Sequence, residues 1–284
     1  MSRSRRKRNK KKITKQGFLI FFIIGIAIGI LSLVLYKIYA PKPYRIPKRP
    51  TIVYLEKKLP PPAHFKIAVV LDDFGYNYKS VEQVIALKRP ITFSVLPNLP
   101  YSKTISRRVH QKGLEAILHL PLEPRKEERA VKPEADTITV DMEKDKVLDR
   151  LNKAIESTPY VIGVSSHQGS KATEDAALMK TIFVELKKRD LFFLDSLVSN
   201  RSVCKKIAKE VGIRFGRRDI FLDNKEDFEY IRGQMRQLIR RAKTKGAAVG
   251  IGHDREKTVA ALSQLMPEAQ KEGAEFVFLS ELVK

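Results

Sequence analysis

From Lys66 to the end of the chain, short apolar runs alternate with segments of helical periodicity. These runs lie at 67–71, 91–96, 114–118, 161–164, 191–194, 247–251 and 275–279, with a weaker one near 211–215. Apolar strands separated by helices are typical of a parallel sheet that is covered on both faces. Seven or eight such units in 219 residues predict an α/β fold and favour a closed β/α barrel over an open sheet. In such barrels the reactive residues lie at the carboxyl ends of the strands.

An uncharged apolar run, residues 18–36, precedes this region. About 20 apolar residues cross the hydrocarbon core of a bilayer. A cleaved signal peptide has a shorter apolar core and a small-residue cleavage site, for which Ala40 is a weak candidate. We therefore interpret residues 18–37 as an uncleaved transmembrane signal anchor, with residues 18–36 contacting the cytoplasmic membrane.

The formal net charge of +23 is concentrated near the N-terminus. Residues 1–17 contain nine Lys or Arg and no acid, and residues 37–65 contain seven Lys or Arg and one acid. By the positive-inside rule, residues 1–17 form a basic cytoplasmic tail and the main domain lies outside the cytoplasm. The remaining net charge of +8 favours an anionic surface weakly, and we expect no nucleic-acid partner.

Residues 38–65 contain seven of the fifteen prolines. Because proline blocks helix formation, this segment is predicted to be an extended linker between the anchor and a domain at 66–284. The chain has a single cysteine, Cys204, which excludes a disulfide within the chain. Cys204 shares one helical face with Val203, Ile207 and Val211, so we expect a buried structural thiol.

Polar residues occur where the predicted strands end. Asp72 and Asp73 follow the first strand, His119 the third, His167 the fourth, Asp195 the fifth and His253 a late one. Two neighbouring carboxylates need a cation or a shared proton. A carboxylate with two neutral imidazoles is a common ligand set for zinc or another divalent transition ion. The pattern predicts a divalent metal site, with zinc as the first candidate for the ion.

Such a site supports hydrolysis. A metal activates water and polarises a carbonyl, while a second carboxylate acts as general base and a histidine as general acid. No short motif such as HExxH occurs, so each ligand has to come from a different strand. Taken singly, a strand-end Asp also caps a following helix, and a strand-end His is often structural.

Aromatic residues and glycines accompany these motifs. Phe74, Tyr76 and Tyr101 follow strand ends, where they either stack on sugar rings or pack in the core. Gly75, Gly163 and Gly169 are predicted to permit tight loops.

Five segments in this order, VVLDDFGY, LHLPLEP, GVSSHQGS, FFLDS and GIGH, resemble the divergent polysaccharide deacetylases, relatives of the NodB-type carbohydrate esterases. RRDIFLD, residues 217–223, resembles the same family. The resemblance covers residues 66–284. It implies a distorted (β/α)7 barrel of the NodB type, preceded here by one transmembrane helix.

The resemblance also implies roles. Asp72 becomes the catalytic base, Asp73 a metal ligand, and His253 the catalytic acid or a group that orients the base. NodB-type enzymes use two histidines four residues apart, whereas His119 is followed by Glu123 at that spacing. The missing ligand then comes from His167 or from Glu123. Around the predicted ligands Asp73, His119 and His167, we expect four further residues to support the site or line the substrate: Glu123, Asp195, Arg218 and Asp223.

The predicted function is a membrane-anchored, extracytoplasmic hydrolase that removes an acyl group, most of all N-acetyl, from an envelope polysaccharide or a peptidoglycan-like glycan. One alternative is a glycan-binding or scaffold domain that keeps the barrel without the reaction. Another is a metal-free glycosidase that pairs Asp72 with Glu123 or Asp195 across a sugar.

Overall fold

The computed structural model describes residues 15–39, 64–126, 134 and 136–284. Residues 1–14 of the predicted basic tail and residues 40–63 of the predicted linker lie outside the described residues. The chain divides into two compact units between Lys57 and Lys58.

The first unit contains one described helix, α1 (Lys15–Tyr39), whose most apolar stretch of 18 residues has a mean hydropathy of 3.1. At a rise of 1.5 Å per residue, 25 residues extend about 37 Å, which exceeds the roughly 30 Å hydrocarbon core. Of the described helices, α1 is the one long and apolar enough to cross a membrane. Its length and composition suit a membrane anchor and a signal sequence alike.

The second unit alternates strands and helices along the chain. Its elements are β1 (Phe65–Phe74), α2 (Lys79–Ala86), β2 (Ile91–Val95), α3 (Ser102–Gln111), β3 (Glu115–Leu122), α4 (Lys144–Ser157), β4 (Gly163–Gln168), α5 (Ala176–Lys188), β5 (Phe192–Asp195), α6 (Cys204–Val211), β6 (Phe215–Arg217), β7 (Ile220–Phe221), α7 (Phe228–Lys245), β8 (Ala247–His253), α8 (Glu256–Lys271) and β9 (Ala274–Val277). All the strand pairs among them are parallel. The α/β prediction is therefore confirmed.

The described strands run in the order β6-β5-β4-β3-β2-β1-β8-β7, and β9 pairs with the first half of β1. β6 and β7 lie at opposite ends of this order, yet only Arg218 and Asp219 separate them in the chain. The chain itself therefore connects the two edges, and the sheet curls into a distorted barrel. Counting β6 and β7 as one broken strand gives the seven positions of the predicted (β/α)7 fold.

The alternation of side chains along β1 divides the core into two layers. Ile67, Val69 and Leu71 pack outward against the helices, whereas Ala68 and Val70 belong to a separate interior cluster. Residues two positions apart lie on the same side of a strand. Asp72 is therefore on the interior side.

The other strands follow the same rule. Ile117 of β3 and Ile251 of β8 belong to the interior cluster, and His119 and His253 come two residues later. The C-terminal segment fills the opposite end of the barrel through the buried Leu279, whose N–H donates to Thr92 Oγ1 at 3.2 Å. The barrel is thus apolar at one end and carries its polar side chains at the carboxyl ends of the strands.

Cys204 is fully buried on α6, as predicted, and burial raises the pKa of its thiol. Gly163 lies in β4, within the predicted apolar run 161–164, so the tight-loop role predicted for it is wrong. A Cβ atom at Gly163 would come 2.3 Å from Cε2 of Phe192, whose ring occupies the barrel interior. The absence of a side chain at this position lets Phe192 pack there.

We predict that Gly163→Ala destabilises the domain by about 1–3 kcal/mol through overpacking against Phe192. Gly233→Ala is the control, because Gly233 lies within α7 and a Cβ there has nothing within 4 Å. In a helix interior that change stabilises by about 0.5–1 kcal/mol. Denaturant unfolding of both variants checks the sign, and equal stabilities would contradict the packing argument.

Candidate metal centre

A backbone irregularity brings the two neighbouring aspartates to one pocket. Adjacent residues of a regular strand point to opposite faces. The pairing of β1 with β2 shifts between Leu71 and Phe74, and Asp73 has a left-handed φ of 69°. Asp72 keeps its register opposite His253 of β8. The bulge turns Asp73 toward the site, and such strained backbone conformations cluster at functional sites.

Asp73 lies between two histidines. Its Oδ1 is 3.4 Å from His119 Nε2 and 3.2 Å from His167 Nδ1. The three potential ligand atoms all lie within 4.8 Å of one another. Among the described residues, this is the one group of three or more acids, histidines or cysteines that is close enough to share an ion.

The spacing and the donors of this group suit a divalent transition metal. Tetrahedral zinc with bonds of 2.0–2.1 Å places its ligand atoms about 3.3 Å apart, close to the two distances above. Asp72 Oδ1 and Asp73 Oδ1 are buried and accept no hydrogen bond in proper geometry. Buried oxygens of this kind are nearly always paired. One carboxylate oxygen and two imidazole nitrogens therefore fit a metal ion, without distinguishing zinc from its neighbours in the series.

The two aspartates have opposite electrostatic environments. Burial raises the pKa of Asp72, and the nearby charge of Asp73 adds to this effect. Burial alone would also raise the pKa of Asp73, but the close ring nitrogens and the charges of His119 and His167 hold it well below its usual range. Asp73 is thus the carboxylate that stays ionised, and Asp72 is the more basic of the two.

A buried pair of serines orients His119. Nδ1 of His119 is 2.7 Å from Ser165 Oγ, which is 2.7 Å from Ser94 Oγ. A hydrogen bond from Ser94 in turn lowers the pKa of Asp72 and opposes the effect of burial. Because Nδ1 is bonded to a hydroxyl, Nε2 of His119 is left facing Asp73. Such partners fix the orientation of a metal-binding imidazole.

His253 is held by Asp223, which is fully buried. Asp223 Oδ1 is 3.0 Å from His253 Nδ1, and Oδ2 accepts from the His253 backbone N–H at 2.8 Å and from the Thr258 hydroxyl at 2.6 Å. Burial alone would lower the pKa of His253, but the hydrogen bond and charge of Asp223 raise it. The other ring nitrogen, Nε2, faces Asp73 Oδ2 at 3.7 Å. His253 can therefore carry a proton at the edge of the pocket.

Arg218 lies at the gap between β6 and β7. Its guanidinium lies over the Phe221 ring at 4.6 Å and donates to the carbonyl oxygens of Ser196 at 2.6 Å and Leu197 at 2.9 Å. Burial lowers the pKa of Arg218, while the charges of Asp72 and Asp195 raise it. Arg218 is therefore within electrostatic reach of Asp72.

Glu123 and Asp195 are absent from the three-residue group and organise loops. Glu123 accepts from Lys171 Nζ and from the Val140 N–H, both at 2.9 Å. Asp195 accepts from the Leu197 N–H at 2.8 Å and from the Ser202 hydroxyl at 2.7 Å. The sequence left His167 or Glu123 to replace the second histidine of NodB-type enzymes. His167 lies in the three-residue group, and Glu123 does not.

Sequence reasoning missed Ser94, Ser165 and Thr258. Ser165 precedes His167 by two residues, so the alternation along β4 could have placed it on the interior side. Phe74 does not face the site, because it is buried and packs against Phe93 with 4.8 Å between ring centroids. Tyr76 and Tyr101 are 53% and 42% exposed, as sugar stacking requires.

The sequence model of one family, described as divergent polysaccharide deacetylase, matches residues 69–283. The chain belongs to this family. Its match covers the barrel from Val69 onward and includes every residue of the candidate metal centre. The sequence resemblance stated above is thereby confirmed.

Two bacterial relatives of this chain are uncharacterised proteins. One, from Haemophilus influenzae, is 36% identical over 200 residues, which cover 70% of each chain. The other, YibQ of Escherichia coli K12, is 31% identical over 201 residues, covering 71% of this chain and 62% of its own. A solved structure of an uncharacterised Agrobacterium tumefaciens C58 protein is similar with a TM-score of 0.72, over 78% of this chain and 89% of that one, at 24% identity. That structural likeness supports the fold.

We predict that the full chain, purified in a non-ionic detergent and loaded with zinc, binds about one metal ion per chain. Asp73→Ala, His119→Ala and His167→Ala should each abolish this binding, because each removes one of three protein ligands. His110→Ala is the control, since His110 stacks on Tyr160 outside the group. Elemental mass spectrometry gives the metal content. Metal retained in all three variants would rule out this ligand set.

We also predict that Ser165→Ala lowers metal affinity by about 10–100-fold, as the loss of a group that orients a metal-binding histidine does. Ser166→Ala is the matched control, because Ser166 is the adjacent buried serine and contacts Ser196 instead. Competition against a metal-chelating dye measures both affinities. An equal effect of the two changes would show that the serine pair does not orient His119.

Proposed function

We propose that this divergent polysaccharide deacetylase is a metal-dependent hydrolase that removes an acyl group, most of all N-acetyl, from an envelope polysaccharide such as a peptidoglycan-like glycan. One observation carries the proposal. In a deacetylase-family fold, the group of Asp73, His119 and His167 adjoins a second carboxylate, Asp72, and the His253–Asp223 pair. Hydrolysis of an amide or ester needs these parts: a metal site, a base and an acid.

Asp73, His119 and His167 hold the ion in this proposal. When bound, it acts as a Lewis acid toward water and the acyl carbonyl. Asp72 accepts the proton of the attacking water, and its raised pKa makes it a stronger base than an exposed aspartate. The charges of His119 and His253 oppose that rise.

His253 supplies the acid. Asp223 fixes its ring through Nδ1, which leaves Nε2 directed at the pocket. The raised pKa of His253 favours the protonated form, which donates to the leaving nitrogen or oxygen. Base and acid thus belong to neighbouring strands, since Asp72 and His253 are partners in the register of β1 and β8.

The exposed aromatic side chains support a sugar substrate. Tyr76 and Tyr101 follow β1 and β2, on the same edge of the sheet as the metal group. Burial raises the pKa of Tyr76 to about 12, and the charges of Glu134 and Asp73 contribute. Tyr76 therefore lies within electrostatic reach of Asp73, where its ring can contact a bound sugar.

The location proposed for this activity is the outer side of the cytoplasmic membrane. α1 serves as a single-pass anchor, and the basic tail keeps the N-terminus in the cytoplasm. The proline-rich linker then places the domain near the envelope glycan.

Two alternatives remain as outcomes of the test. A glycan-binding domain would bind sugar without releasing an acyl group. A metal-free glycosidase would need Glu123 or Asp195 as the partner of Asp72, and the contacts of both residues with loop groups do not favour this role.

We predict that zinc-loaded full chain releases acetate from N-acetylated envelope glycan fragments, and that Asp72→Asn reduces kcat by about 10²–10⁴-fold, the typical contribution of a general base. The variant should keep its metal, because Asp72 is outside the ligand group. Mass spectrometry of the glycan measures deacetylation.

The control is chelation followed by zinc addition, which should remove and restore activity in the unaltered chain. Glycan cleavage that survives chelation would identify the glycosidase. Sugar binding with full metal occupancy and no acyl release on acetylated glycans would favour the binding domain.

A further inference from the structure

A groove of about 690 Å³ lies beside α6 and β6, at the edge of the sheet. It is called the α6 groove below. Nine residues on or beside α6, on β6 and in the C-terminal segment form its walls, among them Lys205, Lys206, Lys209, Phe215, Arg217 and Lys284. None of them belongs to the metal group.

Five of these nine residues are cations, and Arg217 is near enough to Asp195 for its charge to lower the pKa of that carboxyl. Within the described part of the chain, one of these cations has a carboxylate within 4.0 Å: Lys206 Nζ lies 4.0 Å from Glu210 Oε1. The basic cluster on α7 differs, because Asp219 lies 3.5 Å from Arg241 and 3.0 Å from Lys245. Five cations with few counter-charges around them create a positive potential that attracts anions.

The floor of the α6 groove is apolar. Ala208 and Ile213 are buried, and Phe215 is partly exposed. Binding clefts combine apolar walls with a few charged groups that give orientation and specificity. Sugar rings have apolar faces, so a cationic rim above an apolar floor suits sugars that carry carboxylate or phosphate groups.

One end of the α6 groove reaches the edge of the sheet that carries the candidate site. Arg217 is the last residue of β6 and pairs in register with Asp195, the last residue of β5. Arg218 follows directly and is within electrostatic reach of Asp72. Since the carboxyl ends of parallel strands meet at one edge, a polymer bound along the groove can extend toward the metal group.

We propose that the α6 groove binds the anionic groups of an acidic polysaccharide while the acylated sugar of the same chain lies at the site. This inference rests on the proposed function, since it names the substrate class of that site. The substrate is then a glycan that carries both acyl groups and regularly spaced negative charges.

The test compares two N-acetylated probes with the full chain in non-ionic detergent. Hyaluronan decasaccharide is acidic, and chitin hexasaccharide is neutral. The groove variant combines Lys205→Gln, Lys209→Gln and Arg217→Gln. The control variant combines Lys144→Gln, Lys180→Gln and Lys188→Gln, which remove equal charge from another groove, between α4 and α5. Isothermal titration calorimetry measures each affinity.

The groove variant should bind hyaluronan about ten-fold more weakly, with a shallower salt dependence, while the control variant and chitin binding stay nearly unchanged. Equal losses of affinity in both variants would show that binding depends only on the net charge of the protein, and would overturn the proposal. Absence of hyaluronan binding, or groove-dependent binding to phosphatidylglycerol vesicles only, would also overturn it.

Asp73→Ala separates this inference from the proposed function. The variant should keep hyaluronan binding while losing metal and acyl release. Groove-dependent binding with no acyl release by any zinc-loaded chain would leave the groove standing and refute the hydrolase. Acyl release with no groove-dependent binding would refute the groove proposal and leave the hydrolase standing.

Discussion

The pairing of β1 with its neighbours is the constraint on which the site depends. β1 pairs with β2, β8 and β9, more strands than any other described strand, and its apolar half is fully buried. The register with β8 places Asp72 opposite His253. The register with β2 breaks where the bulge begins, and this break turns Asp73 toward His119 and His167. A regular strand would have placed one of the two carboxylates outside.

The second constraint is the cost of burying charge. Carboxylates taken out of water need partners. Neighbouring hydroxyl, amide and ammonium groups are the hydrogen-bond partners of Asp223, Asp195 and Glu123. Asp72 and Asp73 each keep one buried oxygen without a hydrogen bond. This difference separates the candidate site from the structural acids around it, and it motivates a bound cation.

Sequence patterns predicted the barrel because its strands are short, apolar and regularly separated by amphipathic helices. They missed β7, whose two residues are too few for any periodicity. They gave Gly163 a loop role, because the Phe192 ring that requires a glycine there comes from another strand. They identified the aspartate pair and three histidines as candidates. They predicted His167 as a ligand and kept Glu123 as the alternative, since both follow His119 along the chain and distance in space cannot be read from order.

The sequence by itself determined the α/β class, the apolar N-terminal segment, the family and the kinds of side chain available for chemistry, because these depend on local pattern and composition. The tertiary structure decided which side chains meet. β1, β3, β4 and β8 are far apart in sequence and contribute Asp73, His119, His167 and His253. Their meeting depends on hydrogen-bonded register and on one bulge, which are properties of the assembled sheet.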